Sequence, residues 1–224
     1  MRAVVFDFDG VLVNSEPLHF RALREALLGD GIAITEEEYL REYVAYDDRG
    51  SIRIALERHR RAVSDERIGA LAAAKAEAFE RLMGEVPFYP GARELVRALA
   101  AEVPVAIASG ARREEIERIL EAGGLRDAFV AVVGADDVAR TKPHPEPYQR
   151  AFALIAPRVG GLVPAECVAF EDTIPGIAAA RAAGMKVIGV AQTYPAAKLG
   201  LAHAVVPSLD GLGLAEVRAL FQGC

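Results

Sequence analysis

The sequence predicts an α/β protein with a Rossmann-like parallel sheet, helices on both faces of that sheet, and an all-helical cap inserted after the first strand. Short Val-rich apolar runs recur along the chain without the alternation of a half-exposed strand. From residue 90 onward, amphipathic helical patterns separate these runs, whereas residues 16–84 carry helical patterns alone. Strands buried on both faces and alternating with helices are typical of a parallel sheet between two helical layers.

The predicted strands are short runs of mostly apolar residues. They are Ala3–Phe6, Pro104–Ala108, Val130–Val133, Val168–Phe170, Val187–Val190 and Ala204–Val206. The helices between them each present one apolar stripe, as Leu95, Val96 and Leu99 do. Gly184 is expected to end the helix that starts after Thr173, because glycine readily adopts the left-handed conformation at a helix end.

The helical segment defines the predicted domain organisation. Residues 15–85 are expected to form the cap domain, and residues 1–14 and 86–224 the Rossmann-like core. Ligands in open α/β sheets bind at the carboxyl edge of the strands. A cap that leaves the core just after the first strand is therefore expected to lie over that edge and cover the site.

Inside the cap, a long amphipathic helix is predicted over residues 68–82, with shorter helices at Glu36–Tyr43 and Ser51–Arg60. Ser15 is the expected N-cap of the first cap helix, since serine side chains readily accept a bond from the first helical turn. Asp48 is expected to cap the helix that follows it for the same reason.

Composition argues against several classes of function. The 224 residues are 52% hydrophobic and 26% charged, which is typical of a globular protein. A net charge of −6 argues against a nucleic-acid partner, because such binding needs clustered Lys and Arg. With no signal peptide and no uncharged run of about 18 to 20 apolar residues, we expect no membrane partner. Cys167 and Cys224 offer no disulfide framework, which fits a cytoplasmic protein. The expected assembly, which the sequence does not narrow further, is a monomer or small homo-oligomer.

Two carboxylates follow the first predicted strand. Asp7 and Asp9 are two residues apart, so along a strand their side chains would point to the same side, and Gly10 lets the backbone turn away. An exposed acidic turn would have the same pattern. The other strand ends favour a site, because the ends of parallel strands meet at one edge of a sheet.

Those other strand ends add a hydroxyl, an ammonium and two more carboxylates. Ser109 and Gly110 follow the second strand, Lys142 follows the third strand and its loop, and Glu171 and Asp172 end the fourth. A carboxylate approaching a phosphate dianion meets repulsion on the order of 8 kcal/mol at 4 Å if the effective dielectric is about 20. Counter-charge is therefore required, and clustered oxygen ligands are typical of a magnesium site. The set suits phosphoryl transfer through bound Mg²⁺.

Four ordered motifs carry a family resemblance. They read Asp-Phe-Asp-Gly-Val-Leu, Ala-Ser-Gly, Thr-Lys-Pro-His-Pro-Glu-Pro-Tyr and Phe-Glu-Asp-Thr-Ile-Pro-Gly-Ile. In this order they resemble the haloacid dehalogenase superfamily, and specifically its β-phosphoglucomutase-like subgroup with a helical, C1-type cap. The resemblance spans nearly the whole chain. It implies a magnesium-dependent phosphomonoester hydrolase, a phosphatase acting on a small phosphorylated metabolite such as a sugar phosphate or phosphoglycolate.

The resemblance also implies roles for the residues that match the motifs. Asp7 would attack phosphorus and form an aspartyl-phosphate, while Asp9 would act as acid and then base. Ser109 and the Gly110 amide would bind phosphoryl oxygens. Lys142 would orient the nucleophile and offset the phosphoryl charge.

The metal ligands follow from the same resemblance. Asp7, the backbone carbonyl of Asp9, and Asp172 would hold Mg²⁺, with Glu171 as an outer or water-mediated ligand. Members that resemble dehalogenases or phosphonate hydrolases replace the residue at Asp9, so its presence here favours phosphate esters.

The candidate substrate loop of the cap is Val44–Ser51. Arg49 could bind a charged group of the substrate or pair with Asp47 or Asp48, and both interpretations stay open. His19 could lie near Asp9, or it could be a packed or solvated histidine.

Two other functions remain alternatives. The first is a sugar-phosphate mutase of the β-phosphoglucomutase type. Such mutases usually carry a lysine and an arginine in the substrate loop, whereas this loop offers only Arg49. The second is a non-catalytic binding module, against which the intact set of site residues argues.

Overall fold

The structure is a computed structural model of the chain, and it describes residues 1–43, 46 and 48–221. Its strands are β1 Ala3–Phe6, β2 Val105–Ala108, β3 Phe129–Val133, β4 Cys167–Glu171, β5 Lys186–Val190 and β6 Ala204–Val206. They form one six-stranded parallel sheet in the order β3-β2-β1-β4-β5-β6. The predicted Rossmann-like sheet is confirmed, with β1 at its centre and the crossover direction changing there.

Helices follow the strands in the order predicted for an α/β fold. They are α1 Glu16–Gly29, α2 Glu36–Glu42, α3 Asp48–Arg58, α4 Asp65–Leu82, α5 Ala92–Ala100, α6 Arg113–Ala122, α7 Glu146–Ile155, α8 Ile174–Ala182 and α9 Leu214–Ala219. The first four make up the all-helical insertion after β1, α5 to α8 alternate with β2 to β5, and α9 follows β6. Within the described ranges, no helix combines the length and apolarity needed to cross a bilayer.

The chain divides into two compact units. The sheet unit comprises Met1–Asn14 and Pro87–Cys224, and the helical unit comprises Ser15–Val86. The helical unit thus extends one residue beyond the end expected for the insertion.

Strands β1 and β2 of the sheet unit are buried on both faces. Every residue of β1 and β2 is buried, which explains why both strands read as continuous apolar runs. In β1, Phe6 stacks on Phe170 of β4 with ring centroids 4.9 Å apart. This pairing sets the register between the two strands, so the residues that follow Phe6 and Phe170 lie side by side.

The helical unit has its own apolar core, in which α1 packs against α4. Leu27, Ile52, Leu56 and Ile68 are its most deeply buried aliphatic side chains. The Ser64 hydroxyl caps α4 by accepting from the Arg67 amide. Such a cap contributes about 1 kcal/mol to stability.

Two expectations about helix starts can be compared with the structure. Ser15 is the N-cap of α1, as expected, but it has αR backbone angles and makes no capping bond with its side chain. Asp48 is the first residue of α3 rather than its N-cap, and its carboxylate pairs with Lys75 instead. The loop residues 44, 45 and 47 lie outside the described residues, so the predicted substrate loop is described only in part.

Candidate active site

The carboxyl edge of β1 and β4 brings together acidic residues from two strand ends. Asp7 follows β1, and its amide donates to the Phe170 carbonyl over 2.9 Å, so the pairing of the two strands continues past Phe6. Glu171 is the last residue of β4 and Asp172 comes next. Carboxylate oxygens of these three acidic residues lie within 4.8 Å of one another, and all three side chains are buried.

Lys142 bridges two of these carboxylates. Its ammonium lies 2.8 Å from Asp7 Oδ1 and 2.6 Å from Glu171 Oε1. Asp7 Oδ1 also accepts from the Phe8 amide over 2.7 Å. The cluster therefore contains three carboxylates and one ammonium, which leaves two negative charges uncompensated among these four groups.

Glu171 is the most firmly held member of the cluster. Its Oε1 accepts from Lys142 and from the Tyr148 hydroxyl, the latter over 2.7 Å. Its Oε2 accepts from the Thr173 hydroxyl and from the amides of Thr173 and Asp172, over 3.1 to 3.2 Å. A Cβ at Gly176 would overlap this carboxylate, so only glycine leaves room for it.

The proton affinities in the cluster reflect burial and like charge. Burial, and then the charge of Glu171, raise the pKa of Asp7 well above its usual value, although Lys142 opposes this. Burial would also raise the pKa of Glu171, but Lys142 and the other donors lower it overall. For Lys142, burial alone would lower the pKa, and the two carboxylates raise it. Lys142 therefore stays charged, and its charge favours the ionised form of Glu171.

Asp172 carries the carboxylate oxygen of this cluster that is best suited to bind a metal ion. Its Oδ1 is buried without a hydrogen-bond partner among the described residues, while the other oxygen bonds the Thr193 hydroxyl. Burial, partly offset by the Thr193 bond and reinforced by Glu171, raises the pKa of Asp172 to about 6. Leaving a buried carboxylate oxygen unpaired is costly. An all-oxygen donor set with two excess negative charges fits a hard divalent cation.

The loop after β1 is tightly held. Gly10 has φ +77, and a Cβ there would overlap Asp172, so both conformation and space require glycine. Gln192 pins the loop from outside, because its side-chain amide donates to the carbonyls of Gly10 and Val11 over 2.8 and 3.2 Å. Asp9 lies half-buried in this loop.

Ser109 lies at the end of β2, the strand next to β1 on its other side. Its side chain is buried, and its hydroxyl oxygen accepts from the Ala111 amide over 3.0 Å. The neighbouring Gly110 is exposed, and a Cβ there would meet nothing within 4 Å. Packing therefore gives no reason for glycine at this position.

The two weak candidates of the helical unit differ in their surroundings. Arg49 lies exposed on α3 and forms no ion pair with any residue of the ranges 1–43, 46 and 48–221. His19 instead stacks on Phe79 and contacts the ammonium of Lys75 over 2.9 Å.

Sequence reasoning missed two residues that the structure connects to charged groups. Tyr148 has a buried ring, as a core residue would, but its hydroxyl donates to Glu171. Lys75 was not singled out, although it is only 4% exposed. A lysine on the apolar side of an otherwise regular amphipathic helix is the signal that could have revealed it.

Comparison with known proteins identifies the family of this chain. A profile of haloacid dehalogenase-like hydrolases matches residues 1–184, which include all four motifs. The chain belongs to the haloacid dehalogenase-like hydrolase family. Among its relatives in this family, the fructose-1-phosphate phosphatase YqaB of Escherichia coli K12 is 34% identical over 84% of this chain and 95% of its own length.

Solved structures of the family agree with the fold of this hydrolase. A variant of CbbY from Rhodobacter sphaeroides, solved in complex with xylulose-1,5-bisphosphate, superposes with a TM-score of 0.75 at 28% identity, covering 96% of this chain and 98% of that one. The β-phosphoglucomutase of Clostridium difficile superposes with a TM-score of 0.74 at 23% identity, covering 98% and 96%. At that identity the second likeness shows the fold alone.

Proposed function

We propose that this haloacid dehalogenase-like hydrolase is a magnesium-dependent phosphatase that forms an aspartyl-phosphate on Asp7. The observation that carries the proposal is the buried cluster of Asp7, Glu171 and Asp172 around Lys142. Its two uncompensated charges match one divalent cation, and its oxygen donors match Mg²⁺. The sequence-based expectation of a cytoplasmic enzyme stays a prediction.

The residues that would hold the metal can be ranked by the bonds they already make. Asp172 Oδ1 is buried and unpaired within the described part of the chain, which supports it as a direct ligand. Both oxygens of Glu171 are taken by protein donors, which supports an outer or water-mediated role. Asp7 and the backbone carbonyl of Asp9 complete the proposed set. When bound, Mg²⁺ supplies positive charge that offsets the carboxylates and polarises phosphoryl oxygens.

Asp7 is the proposed nucleophile. Lys142 and the Phe8 amide both hold its Oδ1, which fixes the carboxylate and leads us to assign the attack on phosphorus to Oδ2. Ionisation of Asp7 is required for attack, and Lys142 favours the ionised form. Ser109 and the Gly110 amide are the proposed donors to the phosphoryl oxygens.

Asp9 is the proposed acid and base. As the Asp7–phosphorus bond forms and the ester bond breaks, Asp9 gives its proton to the leaving alkoxide oxygen. In the second half of the reaction Asp9 takes a proton from water, whose oxygen attacks phosphorus and releases inorganic phosphate and free Asp7. The hydrogen bonds from Gln192 to the carbonyls of Gly10 and Val11 hold the loop that carries Asp9, which supports the proposal that Asp9 serves both steps.

The proposed substrates are small phosphorylated sugars or related metabolites, such as those in the names of the relatives. The mutase alternative rests on the motif resemblance and on solved neighbours named as β-phosphoglucomutases, but the loop that would bind a second phosphate offers only Arg49. Incubation with β-glucose 1-phosphate and a trace of the bisphosphate separates the two functions. A phosphatase releases inorganic phosphate, whereas a mutase yields glucose 6-phosphate without it.

The test is hydrolysis of p-nitrophenyl phosphate with and without Mg²⁺. Asp7→Asn should remove activity by at least about a thousandfold, because the amide cannot act as the nucleophile. Asp210→Asn, which changes an exposed aspartate of the same unit, is the matched control and should keep wild-type activity. Near wild-type turnover by Asp7→Asn would show that the nucleophile is wrongly assigned.

A further inference from the structure

The turn after β5, residues 191–193, belongs to the sheet unit and contacts two parts of the proposed active site. The backbone amide of Ala191 donates to the Val206 carbonyl over 2.9 Å, which ties the turn to the end of β6. The backbone amide of Gln192 donates over 2.9 Å to Val190, the last residue of β5. The position of the turn is therefore set by two strand ends, and side chains on such rigid elements hold their neighbours precisely.

Gln192 reaches from this turn to the loop after β1, although β4 lies between the two strands. The base of that loop is closed by its own bonds, because the Phe8 carbonyl accepts from later amides of the loop over 2.8 to 3.4 Å. The tip of the loop, which follows Asp9, is held from outside. There the side-chain amide of Gln192 donates to the carbonyls of Gly10 and Val11. Loss of this donor would free the tip while the base stays closed.

Thr193, the next residue of the turn, holds the carboxylate of Asp172. Its hydroxyl bonds one oxygen of that carboxylate, and the other oxygen, Oδ1, is the buried one that has no partner in the described part of the chain. Because a carboxylate is planar, fixing one oxygen also fixes where the other lies. Gly10 makes room for this contact, since a Cβ there would overlap Asp172 Oδ2 and lie 2.8 Å from the Thr193 hydroxyl oxygen.

From these contacts we infer that Gln192 and Thr193 are positioning residues of the reaction, Gln192 for the acid and base Asp9 and Thr193 for the metal ligand Asp172. The inference rests on the proposed phosphatase function. Displacement of a reacting group by about 1 Å can cost about a hundredfold in rate. Loss of the hydrogen-bond partner of a metal ligand typically costs about 10- to 100-fold in metal affinity. Substitutions at the two positions should therefore change different measurable quantities.

The test of Gln192 uses the dependence of the rate on the leaving group. Phenyl phosphate and p-nitrophenyl phosphate differ little in shape, but phenolate needs a proton to leave readily and p-nitrophenolate does not. The quantity kcat/KM reports the steps up to release of the alcohol, in which Asp9 acts as the acid. At saturating Mg²⁺, Gln192→Met keeps the side-chain length without a donor, so kcat/KM for p-nitrophenyl phosphate relative to phenyl phosphate should rise about tenfold. Gln149→Met, which changes an exposed glutamine on α7, should leave this ratio at its wild-type value.

The test of Thr193 is direct binding of Mg²⁺, measured by isothermal titration calorimetry without substrate. Thr193→Val keeps the shape of the side chain but removes the hydroxyl, so the Kd for Mg²⁺ should rise about tenfold. Thr193→Ser keeps the hydroxyl, and its Kd should stay within about twofold of the wild-type value. Because Thr193→Val leaves the support of Asp9 in place, its leaving-group ratio at saturating Mg²⁺ should equal that of wild type.

Wild-type enzyme separates this inference from the proposed function. Absence of magnesium-dependent hydrolysis of p-nitrophenyl phosphate by wild type would contradict the phosphatase itself. If wild type is active, either of two results overturns the inference: equal leaving-group ratios for Gln192→Met and Gln149→Met, or equal Kd values for Thr193→Val and Thr193→Ser. Thermal unfolding checks that each variant is folded, and Gln192→Ala repeats the first comparison with a smaller side chain if Gln192→Met unfolds.

Discussion

Tyr148→Phe removes one hydroxyl from the interior of the sheet unit and leaves the ring in place. The hydroxyl of Tyr148 donates to Glu171 Oε1 over 2.7 Å, and both side chains are fully buried. Burial, reinforced by Glu171 and Asp7, raises the pKa of Tyr148 well above its usual value, so the group is a permanent donor. We expect the variant to fold with lower stability.

The size of the stability loss in Tyr148→Phe depends on the hydrogen-bond donors that Glu171 keeps. A buried hydrogen bond to a charged group contributes about 1.5–3 kcal/mol. Lys142 still donates to the same oxygen at 2.6 Å, so Glu171 would keep part of its stabilisation. We therefore expect a loss of about 2 kcal/mol, which for a chain of this length corresponds to about 4–8 °C in Tm.

Urea and thermal unfolding in EDTA measure this loss without a contribution from bound metal. Tyr194→Phe is the matched control, because it deletes the same atom from a tyrosine that is 37% exposed. Its free energy of unfolding should change by less than about 0.5 kcal/mol. If Tyr148→Phe were as stable as Tyr194→Phe, the hydroxyl would contribute nothing to holding Glu171, and the account of that carboxylate would be wrong.

Two further variants test the crowding and the charge of the cluster. Gly176→Ala places a methyl group against the Glu171 carboxylate, so unfolding should show a loss of about 2 kcal/mol, whereas Gly160→Ala, which meets open space, should show almost none. The pKa of Asp172 is about 6 in the folded protein, above the usual aspartate value of 3.8, so the folded chain binds an extra proton between those pH values and loses stability as pH rises. In EDTA, the stability of Asp172→Asn relative to wild type should therefore grow by about 2 kcal/mol from pH 4 to pH 7. An advantage that does not vary with pH would contradict the raised pKa, and saturating Mg²⁺ should reverse the advantage at pH 7.

Much of the fold could be predicted because the strands are buried on both faces. β1 has the predicted bounds Ala3–Phe6, since charged residues flank its apolar run. β2 begins one residue later than predicted, at Val105, because Pro104 has no amide to donate, although its carbonyl accepts from Val4. α3 begins three residues before the predicted Ser51, because its first turn is polar and periodicity of apolar residues does not detect it.

The acidic residues of the site could be predicted from the strand ends, but Tyr148, which donates a hydrogen bond to one of them, could not. Asp7, Glu171 and Asp172 lie together as expected, because their strands are neighbours in a parallel sheet. Tyr148 occupies an apolar position of the amphipathic helix α7, and only the tertiary structure shows that its hydroxyl reaches Glu171. Lys75 was missed because lysines are usually exposed, and its partners lie on two other helices.

Acid quenching of the enzyme during turnover of a ³²P-labelled phosphate ester tests the central claim most directly. Asp9→Asn should accumulate the intermediate, because hydrolysis of the aspartyl-phosphate needs the base. We predict a hydroxylamine-sensitive label on the peptide that contains Asp7, formed only when Mg²⁺ is present and absent from a variant that also carries Asp7→Asn. Label on another residue, or turnover without any labelled protein under these conditions, would contradict Asp7 as the nucleophile.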